Sequence, residues 1–499
     1  MSYKQDDYGV SLNNMMFKRA RSLLCLCVAA ALNVPAISYA DTIELPDIGT
    51  VAGSTLTIDQ ELIYGDAYMR MLRNSQPIVN DPVINEYIDN LGHKLVANAN
   101  DVKTPFTFFM IRERNINAFA FFGGYVALHS GLFLHAQSES ELASVLSHEI
   151  AHVTQRHLAR SMEEQARRSP VNIAALAGSL LLAIAAPEAG IAAMTAATAG
   201  GMQSQINYTR SNEKEADRFG IATLAKAGFE AQAMPRFFGR LADEYRYASK
   251  PPPMLLTHPL PEDRITDSRE RAQHYPPLRL QPSLDYHLTR SRIVARYAGI
   301  DAEAALDWFT RTEKKAAPDL SSAFQYGKAL VYLDSKQLDK SAAILSKLIA
   351  QDPNNNFYLD AMADLEIAEN QAAKAQILLE KALQQKPNNP TLMINYANSL
   401  LRQNKLAEAV RVLQRYTHDN PNDVNGWSLL SEANISIGNS QEDLAARAEL
   451  LALRANWNKA IQYYTQASQL AKLGSLEQAR YDARIDQLMV QRDRFLSLQ

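Results

Sequence analysis

Residues 138–168, SESELASVLSHEIAHVTQRHLARSMEEQARR, decide how the rest of the chain is read. Neither proline nor glycine interrupts them until Pro170, so the stretch reads as one helix. Ser138 and Glu141 fit a capping box, with Ser138 as N-cap and Glu141 reaching back. Inside lies His148-Glu149-Ile150-Ala151-His152. A spacing of four residues puts both imidazoles on one helical face, one turn apart. Two ring nitrogens so placed reach one zinc ion, and Glu149 stands beside them to hold a water and take its proton. The plainer alternative is a surface helix with two incidental histidines.

A catalytic zinc usually has three protein ligands and one open position. His157 follows His152 by five residues on the same helix and faces elsewhere. The metzincin pattern fails, because Gln155 and Leu158 stand where it needs glycine and histidine. A carboxylate from a second helix remains, and 209–228 offers Glu213-Lys214-Glu215-Ala216-Asp217. Glu213 and Asp217 share a face, so Glu213 can ligate while Asp217 stands behind it, orienting a ligand or a proton-transfer partner. On spacing alone Glu215 and Glu163 compete for the same place, and a solvated charged helix is the plainer reading of such a run.

His148-Glu149-x-x-His152 followed by Glu213-x-x-Ala216-Asp217 resembles the M48 family of zinc metallopeptidases. Asn117-Ala118-Phe119-Ala120, Gly123-Gly124, Ser130-Gly131-Leu132, Thr257-His258-Pro259 and Arg264-Ile265 extend the likeness over about residues 60–270. The resemblance implies one Zn2+ per chain, held by His148, His152 and Glu213. It also implies Glu149 as general base and Asp217 in a supporting catalytic role.

The flanks fill in a fold. Pro105–Arg112 is aromatic-rich and reads as a strand, and 117–128 reads as a hairpin turning at Gly123-Gly124. Asn117, Ala118 and Phe119 are candidates for a substrate-side strand that pairs with an extended polypeptide. His258 sits among Pro251, Pro252, Pro253 and Pro259, which suggests a stiff irregular loop. There it is a candidate fourth ligand, a reversible cover that blocks water, or an aid to the reaction.

Towards the C-terminus Pro353, Pro387 and Pro421 recur every 34 residues, each followed by asparagine, and Ala329, Ala363 and Ala397 keep the same period. That period belongs to tetratricopeptide repeats, pairs of helices that stack to share a core. Four to five pairs are expected, with Tyr326, Tyr332, Tyr396 and Trp427 as groove or core residues. The fold class is α+β, predominantly α: a zincin-like domain with a small sheet, then an all-α solenoid.

Composition bounds the function. The chain has 499 residues and a net charge of −3, with no basic stripe, so nucleic acid is not an expected partner. Its two cysteines, Cys25 and Cys27, lie in a basic, apolar, small-residue leader ending at Ala40, with Met15 and Met16 as alternative starts. The apolar core of that leader is shorter than the ~20 residues a membrane span needs. Its removal leaves a cysteine-free chain at −5, suited to an oxidising compartment. The expected domains are 1–40 signal, 41–275 metallopeptidase and 285–499 repeats. The Ala/Gly-rich run 171–202 is read as paired helices that touch a membrane peripherally or cover the cleft.

Leader, peptidase and repeats in one chain resemble the periplasmic, repeat-bearing members of that family from Gram-negative bacteria. The likeness implies unfolded or misassembled outer-membrane proteins as substrates and the outer-membrane β-barrel assembly machinery as partner. The rival readings are a non-proteolytic chaperone or assembly adaptor with a resting or structural zinc site, and a membrane-embedded protease using 171–202 as a hairpin.

Overall fold

The computed structural model describes residues 56–168, 199–247 and 251–496. The expected leader 1–40 and residues 171–198 of the apolar run lie outside the described residues. Among the described residues, no helix is long and apolar enough to cross a membrane.

Helix α1 (Ile58–Ser75) opens on a full capping box between Thr57 and Gln60. Helix α2 (Pro82–Val96) opens on Asp81, whose carboxylate accepts the Ile84 N–H, with Pro82 in the first turn. Three strands follow: β1 (Thr107–Ile111), β2 (Ala118–Phe121) and β3 (Tyr125–His129). Their order is β1-β3-β2, with β1 parallel and β2 antiparallel to β3, and Phe119 opposite Ala127. The expected hairpin turns through Phe122–Gly124, where both glycines have φ +77, a region that side chains seldom adopt. Strand β2 lies at the sheet edge.

Helices α3 (Ser130–His135), α4 (Glu139–Thr154), α5 (His157–Arg168), α6 (Ala199–Lys226), α7 (Ala233–Tyr245), α8 (Pro253–Thr257) and α9 (Glu262–Gln273) pack around the sheet. The single helix expected over 138–168 is therefore two. The break falls at Gln155–Arg156, and Arg156 takes φ +53. Its buried guanidinium donates to Glu61 Oε1 at 2.9 and 2.7 Å and to the Leu56 carbonyl at 2.6 Å. A distant ion pair, not a local breaker residue, ends α4. The cap also differs in detail: Ser138 accepts the Glu141 N–H, but the Glu141 carboxylate reaches back to the Gln137 N–H. The proline-flanked stretch expected as an irregular loop contains the short helix α8, which uses Pro253 in its first turn.

Twelve helices complete the described chain: α10 (Leu284–Arg296), α11 (Ala302–Glu313), α12 (Ser321–Asp334), α13 (Leu338–Gln351), α14 (Asn356–Ala368), α15 (Ala372–Gln385), α16 (Pro390–Arg402), α17 (Leu406–Asp419), α18 (Val424–Ser436), α19 (Ser440–Ala452), α20 (Trp457–Leu470) and α21 (Leu476–Leu496). They form six successive pairs, where the sequence period leads to an expectation of four to five. The repeat is visible in the backbone: Lys336, Asn370, Asn404 and Gly438, 34 residues apart, all have positive φ in the turn inside a pair.

The inner side of this array is occupied by the chain's own residues. Glu86 on α2 accepts from Asn356 at 2.8 Å, Asn389 at 2.6 Å and Thr391 at 2.5 Å. Asp81 accepts from Arg292 at 2.6 Å and Tyr297 at 2.8 Å, and Arg292 also binds Asp360 and Tyr326. Further along, Asn425 donates to the Asn80 carbonyl, and Arg70 donates to the Ala452 carbonyl and lies over the Trp457 ring. One apolar cluster runs from Val79 through Phe238 and Tyr326 to Leu365, so the two halves share a core. Tyr326, a candidate groove residue, is fully buried in it.

Candidate metal centre

Helix α4 is buried at every position from Ser140 to Ala151, so its polar residues, His148 and Glu149 among them, must find partners inside the protein. Helix α6 crosses it at Gly220, where a Cβ would lie 3.2 Å from the backbone N and Cα of His148. That close approach brings α6 carboxylates to α4 imidazoles. Nε2 of His148 and Nε2 of His152 are 3.0 Å apart, and each lies 3.3 Å from one oxygen of Glu213. His258, immediately after α8, brings Nδ1 to 3.1 Å from Glu213 Oε1 and 3.4 Å from His148 Nε2. One donor atom from each of these four residues lies within 4.8 Å of the others. Three imidazoles and a carboxylate are a nitrogen–oxygen set that can hold a divalent metal.

Glu149 is buried beside this group, with Oε1 3.5 Å from Nε2 of His258. Among the described residues, Oε1 of Glu149 has no hydrogen-bond partner. A buried carboxylate oxygen left this way is costly unless it serves something that arrives.

Behind the donors stand two supports. Asp217 Oδ1 lies 3.0 Å from His148 Nδ1, and the same carboxylate takes two bonds from Arg264, at 2.5 and 2.8 Å. Arg264 also reaches Glu213 at 2.6 Å and lies over the Phe238 ring, itself almost wholly buried. On the other side His157 Nδ1 lies 2.9 Å from His152 Nδ1, and His157 Nε2 lies 3.0 Å from Glu215. Arg160 donates to the same Glu215 oxygen at 2.7 Å.

Protonation follows from these contacts. Burial pulls His148 down, but Asp217 and Glu213 outweigh it and push it up to about 9. Burial dominates at His152 and holds it well below the usual imidazole range, leaving it neutral. Burial would raise Glu213, yet His258 and Arg264 hold it well below the usual carboxylate range. Asp217 is likewise depressed, its burial outweighed by Arg264 and His148. Burial lowers His157, and the His157 hydrogen bond brings Glu215 down to about 2.

The candidate residues thus distribute as follows. His148, His152, Glu213 and His258 converge, Glu149 adjoins them, and Asp217 stands behind His148. Glu215 supports His157 instead of joining the donors, and Glu163 pairs with Arg167. Asn117 is buried just before β2, its carbonyl accepting the His129 N–H. Ala118 and Phe119 lie on edge strand β2, which packs on α4. The Ile116 carbonyl accepts the Met254 N–H, so the segment carrying His258 is tied to the start of that strand. Sequence reasoning missed Arg264 as a buried partner of both acids, and His157, which the break at Arg156 turns back toward His152.

The family model for peptidase family M48 matches residues 82–272, and tetratricopeptide-repeat models match 297–356 and 366–433. The chain is 78% identical over 485 residues to the putative beta-barrel assembly-enhancing protease of Vibrio cholerae serotype O1, covering 97% of this chain and 100% of the relative. It is 46% identical over 483 residues to the beta-barrel assembly-enhancing protease of Escherichia coli (strain K12), covering 96% and 99%. Metalloprotease LoiP of the same strain is 26% identical over 197 residues, covering 39% of this chain and 71% of that protein.

Proposed function

The chain belongs to peptidase family M48, and from that premise we propose a zinc endopeptidase, exported to the periplasm of a Gram-negative bacterium, that degrades misassembled outer-membrane proteins. In the same reading it assists the outer-membrane β-barrel assembly machinery, and the repeats recruit partners or substrates. Residues 1–40 are the export signal, 41–275 the peptidase and 285–499 the repeats. The names of the two long relatives support the assembly role. The observation that carries the chemistry is the convergence of His148, His152 and Glu213 with Glu149 beside them.

His148, His152 and Glu213 hold the zinc. When bound, the ion supplies Lewis acidity to a peptide carbonyl and to the attacking water. Glu149 accepts the water proton and hands it to the leaving amine. Asp217, kept ionised by Arg264 and His148, steadies His148 rather than giving up a proton. An extended substrate pairs along edge strand β2 and the segment that leads into it, Asn117, Ala118 and Phe119, through the main-chain groups not already bonded to β3, which make little demand on sequence. Residues 171–202 touch the membrane surface or cover the cleft. Carbonate extraction of the mature protein tests that contact, and an integral hairpin would stay in the pellet.

His258 supports a resting form. A fourth protein donor is the mark of a closed site, whereas a working zinc keeps one position open. His258 lies within reach of Glu213 and His148, where it would act as the fourth donor and a reversible cover when the metal is bound. A purely structural zinc in a non-proteolytic adaptor would use the same four donors. Cleavage of an unfolded protein separates these readings. Wild type cleaves and a chelator stops it; Glu149→Gln falls by roughly 10²–10⁴-fold with its metal retained. His258→Ala cleaves faster than wild type. No cleavage by wild type or His258→Ala, with metal bound, would leave only the adaptor.

A further inference from the structure

We propose that His157 is a positioning residue that fixes the tautomer and direction of His152. The inference rests on the reading of His152 as a metal ligand. His157 opens α5 directly after the Arg156 break and is 4% exposed. In an unbroken helix it would sit about 140° around the axis from His152, out of reach. The break instead sets the two Nδ1 atoms 2.9 Å apart.

The hydrogens follow from the ligand end of the chain of contacts. His152 turns Nε2 toward His148 and Glu213, so as a ligand it offers the lone pair there and carries its hydrogen on Nδ1. His157 Nδ1, 2.9 Å away, is placed to accept that hydrogen. The other nitrogen of His157 faces Glu215 Oε2 at 3.0 Å, where a carboxylate oxygen accepts its N–H. One carboxylate, read through one histidine, thus favours the tautomer of His152 that leaves Nε2 free to ligate.

The two histidines on α4 are therefore held by different means. His148 meets Asp217 directly, while His152 meets Glu215 through His157. Helix α6 supplies both carboxylates as well as Glu213, at alternate positions over a little more than one turn. Partners of this kind orient ligand rings, and their loss typically weakens metal binding by 10–100-fold.

The test uses the full chain, stripped and reloaded. Zn2+ affinity is measured by competition with a chromophoric chelator, and ligand geometry by the visible d–d spectrum of the Co2+ form. His157→Phe should weaken Zn2+ binding roughly 10–100-fold and alter the Co2+ bands. Glu215→Leu, at a half-buried position, should shift both in the same direction by less. His157→Gln, whose amide oxygen accepts from His152 Nδ1, should recover most of the loss. Wild-type affinity and spectrum in both His157→Phe and Glu215→Leu overturn the proposal. So does a loss confined to His157→Phe that matches a fall in the melting temperature of the metal-free chain. His152→Ala separates the two readings. If it keeps wild-type Zn2+ affinity, the ligand assignment fails; if it alone loses Zn2+, only the positioning role fails.

Discussion

Replacing Arg264 by Met would strip Asp217 and Glu213 of the guanidinium they share while keeping most of the volume. Arg264 is 2% exposed and reaches Asp217 through two bonds, Glu213 at 2.6 Å, the Pro259 carbonyl at 2.9 Å and His148 Nε2 at 3.5 Å. Its loss leaves two buried carboxylates. Glu213 keeps His258 at 3.1 Å and both α4 imidazoles, so its charge retains partners. Asp217 keeps His148 Nδ1 at 3.0 Å and Ser268 at 3.5 Å. The main cost is thus one buried acid short of its counter-charge, about 3–5 kcal/mol. Urea unfolding of the full chain in chelator should show that loss in the transition carrying the peptidase half. Saturating Zn2+ should reduce it, because a dication beside Glu213 restores positive charge to the same cluster. Asp217→Asn in the Arg264→Met background should recover more than half of the loss, since it removes the stranded charge; the two positions then show strong coupling in a double-mutant cycle. A single variant that loses under about 1 kcal/mol, or a double variant no better than the single, would refute the electrostatic account.

Two other perturbations probe how the halves are joined and how the chain answers acid. Glu86→Ala strands the amide donors of Asn356 and Asn389, leaves Thr391 only the Pro82 carbonyl, and should lower stability by about 2–3 kcal/mol, with faster protease nicking between the halves; unchanged unfolding and nicking would mean that solvent replaces those bonds freely. His287 is buried against Tyr286 and Phe324, and burial, reinforced by Arg290, brings it down to about 4. An unfolded histidine takes its proton near 6.5 while the folded one resists. Stability is therefore full above about pH 6.5 and falls by about 2–3 kcal/mol toward pH 4. His287→Phe should flatten that part of the stability–pH curve, and an unaltered slope would assign the acid lability elsewhere.

What could be read from the sequence is what local geometry dictates. His148 and His152 share a face because four residues make a turn, and Gly123-Gly124 turns a hairpin because that backbone avoids side chains. The 34-residue period survives folding intact, down to the positive φ repeated at Lys336, Asn370, Asn404 and Gly438. The misses share one physical cause, a partner far away in the chain. Arg156 breaks a helix that has no local reason to break, because Glu61 holds it from another element. Tyr326 has the spacing of a groove residue, yet the groove side is filled by α2 and Arg292.

The run Glu213-Lys214-Glu215-Ala216-Asp217 makes the point most sharply. As sequence it resembles a solvated charged face, and alternate acids point to opposite sides of a helix. In the fold Glu213 and Asp217 are almost wholly buried against α4, while Glu215 takes the opposite side and is met there by His157. Only the bend at Arg156 makes that meeting possible. A mutation at Glu61, which touches none of the four candidate metal donors, is therefore expected to act on His152 through Arg156 and His157. The reach of the centre is set by the helix break as much as by the five residues that announce it.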